Sequence, residues 1–159
     1  MLDPMDRARE LYFKYDGSGL YMSRDGVEDE YRRYSVPKDL EKQWLEELTT
    51  TKLDMLESTD YWHVVNFLLN HRDTRHLPRL LHVKPHGKFG HRCAYLENLL
   101  LYIEMCAQAR AIDDIQMREA AEYVFEQAEI IDADAGQEDP RSRVSRIVEA
   151  ATELHSSTG

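Results

Sequence analysis

Apolar side chains recur every third or fourth position through most of this sequence. Leu40, Trp44, Leu45, Leu48, Leu53 and Leu56 do so in one stretch, and Leu96, Leu99, Leu100, Ile103 and Met105 in another. Met117, Ala120, Ala121, Val124, Phe125 and Ala128 form a third such run. A turn of 3.6 residues gathers these positions on one face, whereas a half-buried strand needs strict alternation. Little interrupts the rhythm. Seven Gly and five Pro in 159 residues are too few for a sandwich built of short strands and turns. The expected fold class is therefore all-α: a compact multi-helix bundle or short helical array of six to eight helices, forming a single domain over residues 1–159. A chain of this size buries about 70% of its unfolded surface, enough for a core without disulfide or metal.

Local signals place the elements. Asp3-Pro4 starts a helix running to about residue 14. Residues 16–26 contain Asp-Gly twice and read as a loop, with room for a small N-terminal hairpin through residues 20–22. A second helix ends before Pro37, because proline disfavours helical backbone in the residue ahead of it. Pro37 then opens a long helix to about residue 56, with a kink or break expected at Thr49, Thr50 and Thr51, poor helix formers. Ser58, Thr59 and Asp60 are an N-cap cluster for an almost wholly apolar helix over 61–70. A short helix through Leu77 and Leu80 follows, capped by Asp73 or Thr74, then a loop over 83–90. Long helices are expected over about 91–110, 113–131 and 141–154. Residues 132–140 read as a linker before the C-terminal helix, and 155–159 as a frayed tail.

One segment is similar to a known family. Val64-Val65-Asn66-Phe67-Leu68-Leu69, Asp73-x-Arg75 and Leu77-Pro78-x-Leu80-Leu81 together resemble the turn of a HEAT-type helix pair. The likeness implies two helices joined by an Asp-x-Arg turn, with Leu-Pro opening the second. It covers about 20 residues and one unit, where a solenoid needs at least about three.

The net charge of −10 is unevenly distributed. Residues 1–60 carry net −6 and residues 93–159 net −9, but residues 61–92 carry net +5 and six of the seven histidines. Such an island either packs against the acidic flanks or receives an anion or an acidic partner. Lys84, His86, Lys88, His91 and Arg92 are the anion-binding candidates. Two glycines lie among them, and a long helix, whose free N–H groups attract anions, begins directly after. The spacing of a P-loop is absent. Tyr12, Tyr15, Tyr21, Tyr31 and Tyr34 crowd the first 34 residues, and with Arg72, Arg75 and Arg79 they are the interface candidates. General nucleic-acid binding is disfavoured, since the acidic flanks repel phosphate.

Catalytic chemistry finds no foothold. Cys93 with His86 or His91 has the residue types of a nucleophile and base, but no family pattern or orienting acid accompanies them. The same His86, His91 and Cys93 are the metal candidates, in no established ligand spacing. Asp113-Asp114 and the acids at 25 and 28–30 belong to first helical turns, where negative charge is stabilising. No cofactor is expected. Cys93 and Cys106, 13 positions apart, read as unpaired core thiols, and the charged N-terminus lacks a leader's apolar stretch. Both point to a cytoplasmic protein. The longest apolar stretches, such as 99–103, are too short to span a bilayer. The resulting expectation is a non-enzymatic interaction or regulatory protein that binds another protein, or itself as a homo-oligomer, through segregated charge and aromatic edges. The alternatives are a small anion or phosphorylated ligand at residues 84–92, and a metal held by the histidine cluster.

Overall fold

The computed structural model describes residues 3–158. Their regular structure is entirely helical, with nine α-helices, two short 3-10 turns and no strand among the described residues. The helix count is one above the expected upper bound. The contacts divide the chain into two units, residues 1–54 and 55–159.

The first unit holds α1 (Pro4–Lys14), α2 (Gly19–Arg24), α3 (Glu28–Arg33) and α4 (Lys38–Asp54). The Asp3 carboxylate accepts the Met5 N–H at 2.8 Å, and Pro4 follows in the first turn, as the sequence indicates. The N-terminal hairpin does not form: residues 19–24 are helix instead. The Ser18 hydroxyl accepts the Tyr21 N–H at 3.2 Å and caps the turn. Coiling here also satisfies the backbone locally and turns Met22 onto Leu11 and Tyr15, with Tyr21, Val27, Tyr31 and Tyr34 packed around them. The break expected at the threonines is absent as well. The hydroxyls of Thr49, Thr50 and Thr51 donate to the carbonyls of Leu45, Glu46 and Glu47 at 2.7, 3.0 and 3.1 Å. Side chains that compete with a helix elsewhere are thus satisfied within α4.

The second unit opens with 3-10 turns over Met55–Glu57 and Tyr61–His63. It continues with α5 (Val64–Asn70), α6 (Leu77–Leu80), α7 (Phe89–Gln108), α8 (Asp114–Asp134) and α9 (Arg141–Ser156). Asp60 makes no side-chain cap; Ser58 accepts the Asp60 N–H at 3.1 Å instead. In the segment similar to a HEAT turn, Asp73 accepts the Arg75 N–H at 3.2 Å and its guanidinium at 2.8 Å. The bond to Arg75 is the main reason the Asp73 carboxyl is held down to about 2. The likeness ends there: α6 is one turn long and does not make the second member of a helix pair.

Helices α7, α8 and α9 pack in antiparallel succession. Arg92 near the start of α7 meets Asp134 at the end of α8 at 3.2 Å, and Arg118 early in α8 reaches the Thr158 hydroxyl beyond α9 at 3.3 Å. Helices α7 and α9 therefore run parallel, with Arg143 of α9 bidentate to Glu97 of α7 at 2.9 and 2.6 Å. Asp113 and Gln116 form a reciprocal capping box at the start of α8. Helix α8 extends to Asp134, three residues into the expected linker. Helix α9 includes residues 155 and 156, and Thr158, also within the expected frayed tail, is buried.

Candidate functional site

Tyrosine hydroxyls hold the backbone of the basic segment. Tyr95 donates to the Leu80 carbonyl at 2.6 Å, and Tyr123 donates to the Val83 carbonyl. Tyr61 donates to the His86 carbonyl at 2.8 Å and accepts the His86 N–H at 3.0 Å. Tyr102 accepts the His76 N–H at 3.1 Å. Burial raises the pKa of all four phenols, Tyr95 most clearly, so they stay protonated hydroxyls. None of these four tyrosines stood out in the sequence. A phenol at a core position with no buried partner nearby in sequence is the one signal that could have found them, since a buried hydroxyl needs a hydrogen bond.

The pinned loop brings some of the predicted residues together and separates others. Lys84 and His86 share a 340 Å³ cavity with His82, Arg79 and Glu57. The His82 Nδ1 lies 2.7 Å from the Pro78 carbonyl, and the His86 Nδ1 3.1 Å from the Lys84 carbonyl. A carbonyl only accepts, so each Nδ1 is the donor in these contacts. Lys88 is exposed at the N-cap of α7 and provides no capping side chain. His91 stacks on Trp62 with ring centroids 4.2 Å apart. Arg92 is engaged by Asp134. Of the five anion candidates, Lys84 and His86 line this one cavity, while His91 lies against Trp62 and Arg92 against Asp134. Among the described residues no three His, Cys, Asp or Glu side chains can share a metal ion. His86, His91 and Cys93 accordingly form no ligand set. Cys93 and Cys106 are buried and free, and burial raises both thiols.

The tyrosine candidates of the first unit face inward. Tyr12 and Tyr15 are buried. The Tyr31 hydroxyl donates to Glu41 and the Tyr34 hydroxyl to Glu30, both at 2.7 Å, and the Arg24 guanidinium lies over the Tyr21 ring. These rings pack the unit's core and its margin, because a four-helix unit this small needs their area. A cavity of 350 Å³ lies beside Tyr12 and Tyr31. Of the arginines, Arg75 is bound to Asp73, Arg79 lines the loop cavity, and Arg72 is exposed at a left-handed turn, φ +52°.

A larger concavity than either of these lies elsewhere. A 690 Å³ groove runs between the parallel helices α7 and α9, with Met117 of α8 at its floor. Leu100, Leu101, Ala107, Ile147, Ala150 and Leu154 make its apolar surface. Leu101 is 55% exposed within it, among the most exposed large apolar side chains of the second unit. Glu104 and Glu153 stand on the rim towards the C-terminal ends of the two helices, and Arg146 stands nearer their N-terminal ends. None of these three side chains is paired with another described residue. Comparison with protein-family models, curated proteins and solved structures finds no match to the chain.

Proposed function

We propose that this chain acts by binding another protein, and that the groove between α7 and α9 is where it does so. The observation that carries this reading is Leu101, left largely exposed among Ala107, Ala150 and Leu154 in a concavity of 690 Å³. A contiguous apolar surface with a charged rim is the composition of an interface, whereas single exposed leucines are ordinary. The two buried free thiols suit a reducing compartment, so a cytoplasmic setting is part of the proposal.

A photo-crosslinking residue at Gln108, exposed on the groove, tests the reading in cells that express the chain. A discrete, saturable adduct with another protein is expected from position 108, lost on Leu101→Glu. A probe at Ile130, exposed on α8 outside the groove lining, serves as the control. The same adduct from both positions, or none from position 108, overturns it.

The tyrosine-pinned loop favours a second reading, in which Lys84 and His86 receive a small anion. A rigid loop places both side chains at one cavity before a ligand arrives, which reduces the ordering cost of binding. Titration with inorganic phosphate, followed by NMR, should shift Lys84 and His86 together. Unchanged signals for both residues would discard this reading.

A further inference from the structure

The groove also carries information about the shape and charge of what fits it. Its lining on α7 runs from Glu97 to Gln108, and along α9 from Arg146 to the C-cap residue Ser157. At 1.5 Å per residue each wall is about 16 Å long, the length of a three-turn helix. The walls are parallel helices with α8 beneath, leaving open the position a fourth helix takes in a bundle. A concave trough does not match a second copy of itself in shape, but it does match a convex helix.

Charge then distinguishes one kind of helix from another. Glu97 is already neutralised by Arg143. The unpaired carboxylates, Glu104 and Glu153, lie towards the end where α7 and α9 both terminate, and two helix C-termini add partial negative charge there. Arg146 supplies the only unpaired positive side chain among the lining residues, nearer the opposite end. We propose that the α7–α9 groove receives an amphipathic helix of a partner protein, with an apolar stripe at i, i+3, i+4 and i+7 against Leu101 and Leu154 and with Lys or Arg facing Glu104 and Glu153. This rests on the protein-binding reading above and specifies the partner's chemistry. The apolar stripe provides most of the contact, and the charges set its direction along the groove and reject acidic competitors.

The test uses the full chain and two labelled, side-chain-stapled helical peptides of about three turns. Both carry leucine at the stripe positions; one carries lysine and the other glutamate on the flanking positions. Fluorescence anisotropy should give tighter binding of the lysine peptide by about tenfold or more, the scale of one or two rim charge contacts. Glu104→Lys with Glu153→Lys should reverse that order, and Leu101→Glu should remove binding of both peptides. All three side chains are exposed, so thermal melts should show each variant folded. Binding that Leu101→Glu abolishes but the charge reversal leaves unchanged overturns the basic-helix assignment while leaving protein binding at the groove intact. Binding of neither peptide, or binding indifferent to Leu101, overturns the helix-in-groove proposal; the crosslink from Gln108 then judges the broader reading by itself. Sedimentation showing dimers that Leu101→Glu dissociates assigns the groove to a second copy and overturns the proposal too.

Discussion

Gly17 offers a sharp test of how the first unit is packed. It joins α1 to α2 at φ +66°, and a Cβ placed on it would lie 2.7 Å from both Cζ and the hydroxyl oxygen of Tyr12. Gly26 has the same left-handed backbone, φ +76°, but a Cβ there meets nothing within 4 Å. Alanine in this region costs about 1 kcal/mol relative to glycine, and that is the whole expected effect of Gly26→Ala. At position 17 the methyl must also displace the Tyr12 ring. That ring is 5% exposed, with its centroid 5.6 Å from that of Trp44 and 6.3 Å from that of Tyr31, so those neighbours hold it on two sides and any displacement must go into the adjoining 350 Å³ cavity at the loss of its packing. Overpacking of this kind adds about 1–3 kcal/mol, for a total of about 2–4 kcal/mol. The chain has two tryptophans, one in each unit, and Trp62→Phe leaves Trp44 as the reporter of the first. Urea titrations in that background, read by Trp44 fluorescence, should separate the two alanine variants by at least about 1 kcal/mol at unchanged m-value. Repeating them with Tyr12→Leu should bring the two costs together, because the ring is gone. Equal costs with Tyr12 in place would refute the reasoning, since backbone conformation alone would then account for both.

Four further outcomes follow from the second unit. Tyr95→Phe leaves the Leu80 carbonyl with only the long 3.4 Å bond from the Val83 N–H and should cost about 1–2 kcal/mol, with faster amide exchange across residues 80–86; native-like exchange there would show that the loop does not depend on the hydroxyl. The folded-state value of about 2 for Asp73 lies below its ordinary 3.8, so its contribution is complete above pH 3.8 and is lost as pH falls through about 2. With Arg75 half-exposed that contribution is about 1–2 kcal/mol, and Asp73→Asn should flatten the acid limb of a stability-against-pH curve measured between about pH 4 and 2. Cys93 and Cys106 should resist Ellman's reagent at neutral pH and react together in denaturant, because both thiols are buried; rapid native reaction contradicts their placement. Leu101→Ser should leave the melting free energy within about 0.5 kcal/mol, as expected for a surface side chain; a large loss would mean that Leu101 belongs to the core.

The helical rhythm was legible in the sequence, and the long elements lie close to where it placed them. Helix α8 begins at the capping box that Asp113 announces, and α1 at Asp3-Pro4. Short elements were less legible, because their conformation is decided by distant partners. Residues 16–26 have the glycines and aspartates of a loop, but within them Met22 coils inward to meet Leu11 and Tyr15. Thr49, Thr50 and Thr51 read as a break by propensity, which counts their competition for the backbone and not its resolution inside the helix. The division near residue 54 has no compositional mark, since a charged helix runs up to it. Of the candidate sites, the basic segment could be seen from charge alone, but its convergence could not. Asp134, 42 residues away from Arg92, removes that cation from the set, and Trp62 takes His91.

The groove escaped the sequence for a different reason, and the reason bears on its meaning. Residues 99–103 are apolar without interruption, and five consecutive positions cover more than a full helical turn. Such a run cannot lie on one face, so a helix carrying it must be covered on every side or leave something apolar in water. In α7 four of the five are buried: Leu99, Leu100, Tyr102 and Ile103. The remaining direction is the one Leu101 takes, and there α9 supplies Ala150 and Leu154 instead of a closing wall. Small alanines at 107 and 150 keep the trough open, where leucine or methionine at either position would fill it. The chain's own stability gains little from this arrangement, since leucine at 101 is mostly in water and the alanines leave contacts unmade. A surplus apolar side chain beside deliberately small neighbours is better accounted for by a contact that the isolated chain does not make, which is why the groove, and not the more conspicuous basic segment, carries the functional reading.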